Sequence, residues 1–462
     1  MMDTHTAAQM VDGRQLGANA MFHRVITDTR ALATGDLFVA LAGERFDGHD
    51  FVAQALANGA SAAMVDDAHA GRLGGNLVAV ADTRIALRAL GARWRMRFDL
   101  PLIVVTGSNG KTTVKEMTAA ILRAQFGAQS GESAVLATRG NLNNDIGLPL
   151  TLLELRAAHR AAVIELGMNH RGETRELAAL AQPTIALINN AQREHQEFMQ
   201  SVGEVAAEHA DVLLALREGG TAVINADDAH ERVWRGVAER VGARIVTFGH
   251  DPRADVRAQA SLDADGSDLD ISVGGDHAHV RIAAAGAAMV MNALAATAAA
   301  TLAGASVAAV AHGLATFRPV KGRLAVRRAA GGATVIDDTY NANPDSVREA
   351  IDVLARASAP RWLVLGDMGE VGAQGPRFHR EIGEYARVAG IERLLAVGEL
   401  ARETVLAFGA RAAHFTDVDA LIAALAPAPP AGVTVLVKGS RFMRMERVSD
   451  ALCARDGAVG GH

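Results

Sequence analysis

Apolar residues in this chain gather in short, often β-branched runs. Between the runs lie longer stretches in which apolar positions recur every three or four residues. The runs predict buried strands and the stretches predict amphipathic helices. Three segments follow from their order. In residues 1–100, strands are expected at 25–29, 37–41, 62–65 and 77–80, with helices near 51–58 and 84–97. Residues 101–318 open on the strand 102–105 and continue with AAVIEL (161–166), TIALIN (184–189) and TAVIN (221–225), helices between them. Residues 319–455 begin after Arg318-Pro319 and carry five strands: TVIDD (334–338), RWLVLGD (361–367), RLLAVG (393–398), AHFT (413–416) and VTVLVKG (433–439). Helices are expected there from about Asp345, around 377–388 and after the later strands. Strand–helix alternation of this kind predicts parallel sheets, so the fold class is α/β, with a doubly wound sheet in the third segment. The Pro/Ala stretch 427–431 reads as a loop and 456–462 as a flexible tail.

Residues 282–317 contain no Asp, Glu, Lys or Arg and are long enough to cross a bilayer. The run is mostly alanine, however, and holds Asn292, Thr297, Thr301 and Ser306. Gly304-Ala305-Ser306 breaks it, with Ser306 placed as an N-cap. Two packed helices in a soluble core are expected, not a membrane span. The 462 residues, 50% hydrophobic and 21% charged, suit a globular protein of about two to four domains. A formal charge of −6 implies no nucleic-acid partner, so anionic ligands must be held by local sites. The single cysteine, Cys453, rules out an intrachain disulfide and fits a reducing cytoplasm. The start MMDTHTAAQM lacks the basic and apolar regions of a signal peptide.

Chemistry is most legible at LIVVTGSNGKTT (102–113). A strand enters a glycine loop that closes on Gly110-Lys111-Thr112, and a helix follows. Such a turn presents backbone N–H groups to a nucleotide's phosphates; the lysine meets their charge and the threonine hydroxyl can ligate Mg²⁺. Val105 stands where the common pattern has its first glycine. Arginine supplies nearly all of the 46 basic residues, and the four lysines are Lys111, Lys115, Lys321 and Lys438. A lysine kept in such a chain points to a site that needs a compact charge. Ligands of open parallel sheets sit beyond the strands' carboxyl ends. Glu165 ends one strand, where a carboxylate can hold Mg²⁺. Asn189-Asn190 end another and lead into a loop with His195, which read alone is an ordinary loop histidine. Asn141, Asn143 and Asn144 lie in TRGNLNNDIGLP (138–149), Asp338, Asn341 and Asn343 in DDTYNANP (337–344), and Lys438, Ser440 and Arg441 at the end of the last strand. Lys321-Gly322-Arg323 marks the second boundary.

Together these residues resemble the ATP-dependent Mur ligases of peptidoglycan synthesis, from about Thr27 to Arg447. TGSNGKTT is shared by all Mur ligases and by folylpolyglutamate synthases. More selective are ITDTR (26–30) with GDLFVALAGERFDGHDF (35–51), RGNLNNDIGLP, IELGMNHRGE (164–173), DDTYNANPDS (337–346), LGDMGEVG (365–372) and VKGSRFMRMERV (437–448). The last three point to the branch that adds D-alanyl-D-alanine. The resemblance implies three domains: a small N-terminal α/β domain (1–100) for a UDP-sugar, a central P-loop ATPase-like parallel-sheet domain (101–318), and a C-terminal Rossmann-like doubly wound domain (319–455). It implies ATP and Mg²⁺ as cofactors, UDP-N-acetylmuramoyl-tripeptide and D-alanyl-D-alanine as substrates, and a cytoplasmic monomer.

Roles carry over residue by residue. Lys111, His195, Asn141 and Arg323 are the implied catalytic set. The nucleotide falls to Thr106, Gly107, Ser108, Asn109, Gly110, Lys111, Thr112, Thr113, Asn292, Arg323 and Asp338. Substrates fall to Thr27, Asp28, Thr29, Arg30, Asp47, Gly48, His49, Asn141, Asn143, Asn341, Asn343, Lys438, Ser440 and Arg441. The metal falls to Thr112, Glu165 and His195. Two departures stand out. The family's carbamylated lysine in the helix after the histidine loop is absent. Ala207 stands in its place, with Glu208, His209 and Asp211 as possible substitutes. A family His-Asn pair reads Ala288-Met289 here, although Asn292 is kept. Another amide ligase of the folylpolyglutamate-synthase kind, or a nucleotide-dependent switch, are the competing readings; the hundred residues before the phosphate loop argue against the former.

Overall fold

The computed structural model describes residues 1–130 and 134–454 in three α/β domains; the expected tail, 456–462, lies outside the described residues. The N-terminal domain has a five-stranded sheet in the order Arg14–Leu16, Leu77–Val80, Ala62–Asp66, Asp36–Val39, Arg24–Ile26, parallel except for its first pair. The strand expected to reach residue 29 stops at Ile26, because Asp28 caps a turn at Thr29–Ala31 by accepting from the Arg30 N–H. The helix Thr83–Arg95 leaves this domain and packs its apolar face against the central one.

Nine strands form the central sheet. At its heart Leu102–Thr106 lies parallel between Ala161–Glu165 and Ile185–Ile188, all three buried along their length and apolar except for the terminal Thr106 and Glu165. The periodicity did not reveal Val135–Ala137, Arg244–Phe248 or an antiparallel meander of Val256–Leu262, Ser267–Val273 and Asp276–Ile282. The meander is solvated on one side and rich in Asp, Ser and His, so its apolar signal is diluted. The charge-free stretch folds as the two expected helices, Ala287–Leu302 and Val307–Thr316, with the Ser306 hydroxyl capping the second. Both pack on the long helix Lys111–Ser130. No helix among the described residues is long and apolar enough to cross a membrane.

The closeness of that packing is testable. A Cβ at Gly313 would lie 2.4 Å from Ile121 Cα and 2.6 Å from Ile121 N, where neither backbone can yield. Gly313→Val is expected to cost about 1–3 kcal/mol or more through overpacking, read as a lowered midpoint in calorimetry.

The C-terminal sheet has six strands, in the order Ala325–Arg328, Thr334–Asp338, Thr434–Lys438, Arg361–Gly366, Arg393–Val397, Ala412–Phe415. The five expected strands are parallel. The sixth, Ala325–Arg328, is an antiparallel edge strand with alternating exposure, too short and polar to stand out in the sequence.

Candidate functional site

The three domains meet around a cleft of about 560 Å³. Its floor is the phosphate turn. Ser108 N–H donates to the Asn190 carbonyl (3.0 Å) and Asn109 N–H to Asn190 Oδ1 (2.8 Å), which fixes the turn to the next strand end. Gly107 (φ +131°) and Gly110 (φ +82°) adopt conformations open to glycine. A Cβ on Gly110 would also sit 2.3 Å from Asn292 Oδ1, so the turn admits no side chain there. Asn292, kept from the family pattern, braces Asn189 Nδ2 (2.9 Å) beneath this glycine. Ala288 and Met289 line the cleft beside it.

Of the sequence-derived residues, Ser108 to Thr113, Asn143, Glu165, His195, Asn292, Arg323, Asp338, Asn341, Asn343 and Lys438 line this one cleft. Lys111 Nζ donates to the Gly107 and Ser108 carbonyls and lies 3.5 Å from Glu194. Glu165 is 3% exposed; Oε1 accepts from Asn143 Nδ2 (2.8 Å), while Oε2 has no partner. A buried carboxylate oxygen without a donor suits a cation. Its backbone is held by the Thr138 hydroxyl (3.0 Å), and the Thr138 carbonyl accepts from the buried Lys115 (2.7 Å). His195 adopts φ +50°, with Nδ1 2.6 Å from Glu370 of the C-terminal domain. That carboxyl is held below its ordinary range chiefly by His195.

Other expected residues prove to brace the cleft walls. Asp338 pairs with Lys438 at 2.5 Å and accepts from Leu324 N–H (3.1 Å). Asn343 caps the helix Pro344–Arg356 and donates to Asn109 Oδ1 (3.0 Å). The Ser440 hydroxyl is buried and spent between the Gly369 N–H and the Ala342 carbonyl. Arg323 and Arg441 both lie over the Tyr340 ring, their guanidinium carbons 4.1 and 5.8 Å from its centre. Asn141 is exposed in a turn, and Thr106, Gly107, Asn141, Ser440 and Arg441 do not line the cleft.

The N-terminal candidates stand apart from it. Thr27 to Arg30 and Asp47 to His49 follow the carboxyl ends of the neighbouring parallel strands Arg24–Ile26 and Asp36–Val39. Arg30 pairs with Asp28 and holds its carboxyl down to about 2. Asp47, His49 and His69 bring three ligand atoms within 4.8 Å, the one such group among the described residues. Yet His49 Nδ1 lies 2.6 Å from Asp47 and Nε2 accepts from Asp66 N–H (3.1 Å), so both nitrogens are occupied and the group is a brace.

The three substitutes offered for the missing lysine separate in the structure. Ala207 itself is exposed and does not line the cleft. Glu208 turns to cap the helix Glu173–Ala181 through Gly172 and Thr174 N–H, both 2.9 Å. The residue that faces the phosphate turn is His209, fully buried, with Nδ1 3.1 Å from Thr106 Oγ1 and Nε2 3.1 Å from Glu194 Oε1. Glu194 itself was not singled out by sequence. Burial raises its pKa, but Lys111, His209 and His195 together outweigh burial and hold it at about 2. Arg193 beside it clamps Asp345 (2.6 Å) and Glu381 (2.9 Å) of the C-terminal domain. The sequence signal for both was the charged triplet Arg193-Glu194-His195, in the loop that follows the apolar strand Ile185–Ile188.

Three family models match: Mur ligase family, catalytic domain, at 21–95; Mur ligase middle domain at 105–300; and Mur ligase, glutamate ligase domain at 322–441. The chain is 40% identical to the UDP-N-acetylmuramoyl-tripeptide--D-alanyl-D-alanine ligase of Escherichia coli, covering 97% of this chain and 98% of that one. It superposes on MurF from Acinetobacter baumannii with a TM-score of 0.87, 33% identity and 98% coverage of both chains. The ADP complex of MurF ligase from Thermotoga maritima matches at a TM-score of 0.79 and 26% identity, over 93% of this chain and 97% of that one.

Proposed function

The chain belongs to the Mur ligase family, and from that premise we infer that it is the ATP-dependent ligase joining D-alanyl-D-alanine to UDP-N-acetylmuramoyl-tripeptide, which completes the pentapeptide precursor of peptidoglycan. One observation carries the reading: Lys111 and Thr112 of the phosphate turn share a single cleft with Glu165, Arg323 and Asp338, drawn from two domains. On this reading the units divide at 100/101 and 318/319, and the enzyme works as a monomer in the cytoplasm.

A carboxylate is a poor electrophile, and its oxygen is a poor leaving group. The terminal carboxylate of the tripeptide attacks the γ-phosphorus of ATP, and the bond to the ADP oxygen breaks, giving an acyl phosphate. The dipeptide's amine then attacks the acyl carbon, loses a proton, and phosphate departs from the tetrahedral intermediate. Lys111 balances the charge spread over the transferring oxygens, and the N–H groups of 107–112 hold the phosphates. Thr112, Glu165 and His195 are the residues that would hold magnesium, and the unpartnered Glu165 Oε2 fits that role. When bound, the ion neutralises phosphate charge. Asn143 orients Glu165, and the Asn141 carbonyl accepts from the Asn143 N–H (2.8 Å), so Asn141 acts on the reacting carboxylate's side of that loop. Arg323 and Asp338 meet the nucleotide from the C-terminal side, with Asn292 below the turn. Asn341, Asn343 and Lys438 form the wall where the peptide ends are brought together, with Ser440 and Arg441 supporting it from behind through Gly369, Ala342 and Tyr340. Thr27 to Arg30 with Asp47 to His49 take the UDP-sugar, so the donor spans two domains. Enclosure by all three domains keeps water from the acyl phosphate.

The test is a coupled assay of ADP release. Release is expected to need both the UDP-tripeptide and D-alanyl-D-alanine, with the pentapeptide product found by mass spectrometry. ATP hydrolysis indifferent to the dipeptide would support a nucleotide switch instead.

A further inference from the structure

Glu194 is a buried carboxylate in the cleft to which the reaction above gives no task. It is 7% exposed. The strand Leu102–Thr106 lies between the strand that ends in Glu165 and the strand that leads to Glu194. The two acids therefore flank the phosphate turn from opposite sides. Oε1 of Glu194 is fixed by His209 Nε2 at 3.1 Å, and His209 is in turn anchored on Thr106 at 3.1 Å. A carboxylate only accepts, so Nε2 carries the proton and Nδ1 accepts from the threonine hydroxyl. Oε2 of Glu194 has only Lys111 Nζ at 3.5 Å and His195 Nε2 at 3.6 Å for company. A phosphate in the turn draws Lys111 toward itself. Oε2 is then a buried anion facing more negative charge, a state that needs a cation.

We propose that Glu194, held by His209, is a further metal-binding residue of this cleft, taking a divalent cation on the side of the phosphate turn opposite Glu165. The inference rests on the nucleotide reading above. It gives this chain a side-chain anion where the family's lysine is absent, since Ala207 is exposed and Glu208 is spent on the helix Glu173–Ala181.

The experiment uses the full chain, Mn²⁺ as the probe and ADP as the nucleotide. Mn²⁺ binding is followed by electron paramagnetic resonance, and ADP binding by calorimetry with and without the metal. Glu194→Gln is expected to weaken Mn²⁺ binding in the ADP complex at least tenfold. His209→Gln, which removes the support and keeps the carboxylate, is expected to weaken it by about ten- to a hundredfold. Metal-free ADP binding to Glu194→Gln should be unchanged or tighter, because Lys111 is released; this also shows that the variant is folded. Mn²⁺ binding equal to wild type in Glu194→Gln overturns the inference and leaves the ligase reading intact. So does a loss of ADP affinity of the same size with and without metal, which would make Glu194 a partner of Lys111 alone. Absence of ADP binding by the wild type removes both readings together.

Discussion

Lys111→Ala is expected to lower kcat about a thousandfold, the size of effect seen when one preorganised charge-stabilising donor is removed. Among the described residues, the other cations lining the cleft are held elsewhere, Arg84 by Asp145 and Arg88 by Glu176. Arg323 is stacked on Tyr340, and Lys438 is committed to Asp338 and the Asn341 carbonyl. Lys111→Arg should rescue little, because a planar fork cannot occupy the space of an ammonium between the Gly107 and Ser108 carbonyls. The fold should survive, since Lys111 bonds only to the turn it sits on and to Glu194. ADP release and the thermal midpoint measured on the same preparation check both halves. Turnover above a tenth of wild type in the alanine variant would remove the lysine from the chemistry.

Arg193→Ala should cost roughly a hundredfold in kcat/KM, although Arg193 does not line the cleft, because small misplacements of reacting groups carry penalties of that size. Arg193 presents both edges of its guanidinium to Asp345 and Glu381, and its own N–H also donates to Asp345 (2.8 Å). Three weaker contacts run alongside: Asn109 to Asn343, Gln192 to Glu349 (3.0 Å), and Glu197 N–H to the Glu370 carbonyl (3.1 Å). Together they dock the phosphate turn and the loop after Ile185–Ile188 on the C-terminal domain. Without Arg193 the C-terminal wall should swing away, and solution scattering should report a larger radius of gyration. The pH dependence follows in sign. The hydrogen bonds from Arg193 hold the Glu381 carboxyl below its ordinary value. Its contribution is therefore complete above the ordinary glutamate pKa and lost only as pH falls through the lowered one. The wild-type radius should stay constant from neutral pH down to the ordinary carboxylate range and grow on the acid side of it. A variant lacking Arg193 should be expanded throughout.

Most of the strands that build the site were readable from pattern alone. Leu102–Thr106, Ala161–Glu165 and Thr221–Asn225 are buried throughout and Thr334–Asp338 at its centre, so each shows an apolar run that ends in a polar residue. What escaped was solvated on one side: the meander from Val256 to Ile282 and the edge strand Ala325–Arg328. Site residues divided differently. Those in the phosphate turn announce themselves because the chemistry is done by consecutive backbone groups. Glu194 and Arg193 do not, because their partners, Lys111 and Asp345, are distant in the chain, and among the three substitutes offered for the missing lysine only the packing onto Thr106 singles out His209.

The sequence by itself determined the α/β class, the phosphate turn and the polar strand ends, since each depends on neighbours a few positions apart: apolar runs, helix periodicity and glycine placement. The tertiary structure alone decided which polar residues face the nucleotide and which only brace its walls. Ser440 and Asn343 were spent on backbone and helix caps, Ala207 was turned to solvent, and His209 and Glu194 were brought under the turn. The reason is physical. A buried polar group must find a partner, and which partner is in reach depends on how separate elements pack, not on the order of residues along the chain.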